Sequence, residues 1–251
     1  MKLFLWLLSL QVVVGLTAAG ANQTFSGPIV PANPEAAGEE LVAKLLSLRP
    51  TESMTNRATL TTYSNRTKLG SIPLIIEVTA GETGWTTTYV EPGQGSAAER
   101  LTVAKANDGS TTYHAKRHDE PQKTLSGGEA FTPIAGSDFT LADVGMEFLH
   151  WPIQRLLKKE VRRTQSCDKL ESIAPHGWPG DYVRVLSWFD VDTGGPVVVE
   201  AYNGKGKLVK EFRPTKFEKV DGQYRVEEIE MNTFPAKTRS IIRFDVKASA
   251  P

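Results

Sequence analysis

The side chains of this sequence with the greatest chemical reach are four histidines and a single cysteine, and their spacing decides what each can do. His114 and His118 stand four residues apart, which on a helix would bring both rings to one metal ion. The local pattern is that of a strand, where the same spacing separates the rings by roughly 13 Å, so the pair reads as solvent-facing strand histidines and no metal is expected. The glycines of 93–98 resemble a phosphate-binding loop, but such a loop must open into a helix N-terminus, and here another strand pattern follows within two residues. No Gly-x-Ser-x-Gly elbow occurs, and His150 and His176 lack a convincing nucleophile near them in sequence. Cys167 has no neighbouring His to activate it and reads as a quiet strand residue. The acidic pairs Glu227/Glu228 and Asp190/Asp192 fall in strand patterns, where they are expected to face solvent or to pair with cations across a ladder. These features predict no catalytic centre and no cofactor.

Large apolar side chains remain. Trp85, Tyr89, Phe139, Phe148, Trp151, Trp188 and Phe189 combine strand or helix placement with much apolar area. They can form an ordinary core, or they can line a hollow that holds an oily ligand. On the second reading Leu74, Ile76, Trp85, Tyr89, Phe148, Trp151 and Trp188 are the candidate ligand-binding residues.

The elements that must position them are mostly strands. Ile72, Leu74, Ile76 and Val78 share one face of a strand, as do Trp85, Thr87 and Tyr89. Further strands are expected at 57–63, 100–106, 110–118, 159–167, 182–191, 197–202, 207–212, 215–220, 224–231 and 239–246, with turns such as 107–109 and the Asn203-Gly204 reversal between them. Glu35, Glu39 and Glu40 followed by Leu41, Val42, Leu45 and Leu46 predict a first helix that Pro50 ends. The spacing of Leu141, Val144, Phe148 and Trp151 predicts a second helix over 139–151, capped by Ser137 and Asp138. Alternating βαβ units are absent, so the fold class is mainly β (α+β): a large curved antiparallel sheet or incompletely closed β-barrel with a short helical lid.

Composition narrows the setting. Lys2, the apolar run of 3–16 and small residues to Ala21 have the order of an export signal over 1–21. An extended arm over 22–34 leads into a single domain at 35–251. One cysteine permits no internal disulfide. With 29 basic and 29 acidic residues the chain carries no net charge, which disfavours nucleic acid as a partner. The basic run 155–163 could touch anionic head groups, but reads first as a solvated sheet edge.

Taken in order, Gly136-Ser-Asp-Phe-Thr-Leu-Ala-Asp143, Leu149-His-Trp-Pro152, a basic strand with Cys167, Val185-Leu-Ser-Trp-Phe-Asp190, the 200–210 hairpin and Thr238-Arg-Ser-Ile-Ile242 resemble the outer-membrane lipoprotein-sorting proteins of the LolA-like superfamily. That resemblance implies a half-barrel with a helical lid, a periplasmic location after cleavage of the signal, and a monomer that catalyses nothing. It also implies a hydrophobic interior that carries lipoprotein acyl chains or other lipid between inner- and outer-membrane docking proteins. The residues themselves leave a second reading open, an envelope protein-interaction domain with a filled barrel and no lipid cargo.

Overall fold

Alternating burial along nearly every segment is realised as one antiparallel sheet, which among the described residues has thirteen strands. The computed structural model describes residues 30–92, 99–117, 120–220 and 223–246. The expected export signal, most of the arm, the 93–98 loop and His118 lie outside them. The first meander comprises β1 (Met54–Ser64), β2 (Thr67–Ala80), β3 (Gly84–Val90), β4 (Glu99–Ala106), β5 (Thr111–Arg117) and β6 (Lys123–Leu125). The second comprises β7 (Ile153–Arg162), β8 (Gln165–Ile173), β9 (Arg184–Asp190), β10 (Pro196–Tyr202), β11 (Leu208–Val220), β12 (Gln223–Thr233) and β13 (Thr238–Phe244).

The spatial order is β6-β5-β4-β3-β2-β1-β13-β12-β11-β10-β9-β8-β7. The chain therefore starts in the middle, walks to one edge, crosses to the other, and walks back until β13 pairs with β1 through Leu60 and Ile242. The sheet does not close. Its two edges are joined by residues 126–152, and this strap has to cross the inner face. Apolar residues of both meanders and of the strap pack there as one core.

The helix α1 (Pro34–Leu46) starts where expected, with Asn33 accepting from the amide of Ala36 and Pro34 in the first turn. It buries Leu41, Val42 and Leu45 beside the edge strand β7. Gly38 makes this approach possible: a Cβ there would lie 2.5 Å from the carbonyl oxygen of Gln154 and 2.7 Å from the amide of Arg155. Both atoms are backbone and cannot rotate away. Gly38→Ala is expected to cost about 1–3 kcal/mol, read as a lower urea midpoint; an unchanged midpoint would mean that α1 does not rest on β7 this way.

Three expectations need correction. The helix over 139–151 is broken: the four-residue α2 (Leu141–Val144) stops at Gly145, Met146 takes a left-handed φ of 52°, and a 3-10 turn follows over Glu147–His150. Its cap is Thr140, whose side chain accepts from the amide of Asp143, and not Ser137 or Asp138. The strand expected over 159–167 is the end of one strand and the start of the next, with Arg163 and Thr164 turning between them at φ of 50° and 67°. The two strands expected over 207–220 are one strand, which absorbs Pro214 beside an irregularity in its pairing.

Candidate functional site

Where the strap meets the inner face, oily side chains carry most of the contact and a few polar groups fix the register. From the first meander come Leu74, Ile76, Trp85 and Tyr89, all buried in the main core, with Ile76 directly opposite Tyr89 on the neighbouring strand. From the strap come Phe139, Leu141, Phe148 and Trp151, also buried. Phe139 meets Phe212 of β11 edge-on at 6.1 Å between ring centres. Trp151 meets Trp178 edge-on at 5.1 Å between ring centres and lies 5.9 Å from Tyr182, where the strap runs into β7. Six of the seven candidate residues are thus brought into one cluster.

Trp188 is not. It lies on the outer face with Cys167, Leu186, Val197 and Val198. Arg162 and Lys169 cover its ring at 4.7 and 4.6 Å, and its indole N–H donates to Glu160 at 2.7 Å. β9 is buried on both faces, so size and burial alone do not tell which way Trp188 points. Cys167 sits in this outer cluster, its thiol pushed up to about 11 mainly by burial. His114 is on β5, with its ring bonded to Thr112 and Thr124.

The polar contacts between strap and sheet fall into three groups. Asp143 accepts from Lys210 Nζ at 2.6 Å, Tyr182 OH at 2.8 Å and Thr140 Oγ1 at 2.7 Å. Asp138 accepts from the hydroxyls of Thr238 and Ser240, while its own amide donates to Ser240 Oγ at 2.9 Å. At the β4 and β5 side, Tyr113 OH donates to Glu147 at 2.6 Å, Lys105 Nζ donates to the carbonyl of Gly145 at 2.8 Å, and Thr111 bonds His150 Nε2 at 2.9 Å. Asp143 and Lys210 are not among the site residues expected from the sequence. Their signals were present: Thr140-x-x-Asp143 is a capping box, and Lys210 stands two residues before Phe212, on the inward face.

This cluster is electrostatically taut. Burial lowers Lys105 to about 8, against the pull of Glu147. Burial raises Glu147, opposed by the bond from Tyr113 and by Lys105. His150 is lowered to about 4 by burial and then by Lys105. As pH falls from 6.5 towards 4, the unfolded chain protonates this histidine before the folded protein does, so its contribution to stability falls with pH. Glu147 acts in the opposite sense, because the folded protein takes up its proton first. His150→Gln is therefore expected to lose less stability than the parent between pH 6.5 and 4, measured by urea unfolding at several pH values; parallel curves would mean that His150 is not held neutral.

Among the described residues a cavity of about 20 Å³ lies between strap and sheet, bounded by Asp143, Met146, Phe148, Tyr182, Lys210 and Phe212. That is room for about one water molecule. A hollow of about 500 Å³ at the far ends of β1, β11 and β13 is ionic, with Arg57, Lys216, Glu227 and Arg243 on its walls.

The architecture is an unclosed antiparallel sheet whose apolar inner face is spanned by a strap of short helical turns. Solved structures agree on the fold. A DUF1329 family protein from Desulfovibrio piger matches with a TM-score of 0.68 at 17% identity, over 85% of this chain and 92% of that one. A domain named for outer membrane lipoprotein sorting, from Vibrio parahaemolyticus, matches with a TM-score of 0.67 at 16% identity, over 84% and 91%. A LolA superfamily protein from Nitrosomonas europaea matches with a TM-score of 0.54 at 17% identity, over 83% and 91%. A family model described as "-like: Uncharacterized protein" matches residues 106–248, more than half of the chain, and the protein belongs to that family. No curated protein sequence matches.

Proposed function

We propose that this protein is a periplasmic, non-catalytic carrier whose inner sheet face takes up lipoprotein acyl chains or other hydrophobic cargo when the strap 126–152 bows outward. The observation that carries this reading is the nature of the strap. It covers an apolar face, yet within it the described helical pieces are no longer than five residues. Its seat also leaves the indole N–H groups of Trp151 and Trp178 buried without an acceptor among the described residues. Such a cover holds by packing and a few polar contacts, and an acyl chain can replace the packing at roughly 0.8 kcal/mol per buried methylene. Because the strap is tied to both sheet edges, it moves as a bow and not as a hinged flap. The export signal expected over 1–21 supports the periplasmic setting, in which a monomer would pass cargo between membrane docking proteins.

The cavity of about 20 Å³ favours a second reading, in which the interior is permanently filled and the outer surface binds a protein. Ligand pockets are usually about 300 Å³ or more, so the two readings differ in whether the strap yields. A fluorescent fatty acid that binds saturably, together with lipid recovered by mass spectrometry from the purified protein, supports the carrier. A stable fold that ignores the probe and yields no lipid supports the filled domain.

A further inference from the structure

Three hairpin tips lie side by side at one end of the sheet. The β1–β2 turn is bonded to the β12–β13 turn through Asn65 N to Lys237 O at 3.0 Å, and Phe234 N reaches Val209 O at 3.0 Å, next to the β10–β11 turn over 203–207. These tips expose Arg66, Lys68, Lys205, Lys207 and Lys237. Among the described residues no ion pair involves any of the five. The segments 61–70, 201–210 and 231–240 contain no acidic residue, although the chain as a whole is neutral. Of the nearby acids, Asp138 is bonded to Thr238 and Ser240, and Asp181 stands exposed on the loop that precedes β9.

Two of the largest exposed apolar side chains share this end: Leu69 is 66% exposed and Phe234 is 44% exposed. The basic run 155–163 offers a contrast. Arg155 pairs with Glu35 and Glu171, Lys158 with Glu160, Lys159 with Asp168, and Arg162 with Glu200. The run that looks most basic in the sequence is largely neutralised by its neighbours, while the uncompensated charge lies at turns.

We infer that the β1–β2, β10–β11 and β12–β13 tips form a docking surface for an anionic lipid bilayer, with the five cations over the head groups and Leu69 and Phe234 dipping into the interface. Unpaired cations ringing protruding apolar side chains match a charged, oily boundary. An acidic protein would satisfy the charges alone and leave Leu69 and Phe234 unexplained. The inference concerns the outer end of the sheet and does not depend on what the interior holds.

Sedimentation of the chain from residue 22, which contains every described residue, with vesicles tests it. The protein is expected to bind phosphatidylglycerol-containing vesicles and to ignore pure phosphatidylcholine. Lys68→Gln, Lys205→Gln and Lys237→Gln combined should weaken binding about 100-fold, at about 5-fold per cation. Leu69→Ser with Phe234→Ser should weaken it about tenfold or more. Both variants should keep the parent's circular dichroism and fatty-acid binding, which separates this surface from the carrier reading. Sedimentation of the lysine variant like the parent overturns the inference. So does failure of the parent to bind anionic vesicles, or saturable binding of polyglutamate by a protein that ignores them.

Discussion

Asp143→Ala is expected to lower folding stability by about 3–5 kcal/mol. The carboxylate is only 8% exposed and its partner Lys210 is 16% exposed, so the substitution strands a cation beneath the strap with no anion to answer it. Tyr182 loses its acceptor and α2 loses half of its capping box at the same time. Urea unfolding measures the loss. The cost belongs to the unpaired charge and not to a large net gain from the pair, so Asp143→Leu combined with Lys210→Met should recover much of it. A loss below about 1 kcal/mol for Asp143→Ala would mean that water reaches Lys210 and that the strap is not seated as described.

Phe139→Ala tests the oily part of the same contact. Phe139 is fully buried and meets Phe212 edge-on, so truncation is expected to cost about 3–5 kcal/mol. It also leaves a dry apolar space at the centre of the inner face. Spaces of this kind take up small apolar ligands, and on the carrier reading the variant binds a fluorescent fatty acid more tightly than the parent even though it unfolds more easily. Equal or weaker binding would show that cargo does not enter where Phe139 sits.

Much of the sheet was legible because period-two alternation survives wherever one face is polar. β2 and β3 show it, with Leu74, Ile76 and Val78 buried on one and Trp85, Thr87 and Tyr89 on the other. The first helix was legible from its acidic start and its apolar stripe. The turn at Arg163 and Thr164 was not: tight hairpins of this kind usually carry glycine or asparagine, and neither residue type occurs there. The break in the second helix hid behind apolar spacing that suits a continuous helix and two separate turns equally well; only the left-handed Met146 separates them. Trp188 went to the wrong side because a strand buried on both faces has no alternation to read. The polar contacts of the strap span long stretches of sequence, from Asp138 to Ser240 and from Asp143 to Lys210, and no local pattern announces which carboxylate will meet which cation.

Whether the strap yields can be measured by tying it down. The side chains of Asp138 and Ser240 meet, the hydroxyl donating to the carboxylate at 2.6 Å, so Asp138→Cys with Ser240→Cys offers a disulfide between strap and β13. Titration of the oxidised variant with a fluorescent fatty acid should give no saturable binding, and reduction should restore the binding of the parent. Saturable binding of equal affinity before and after reduction would contradict the account, because cargo would then reach the protein without moving the segment that fills its hollow.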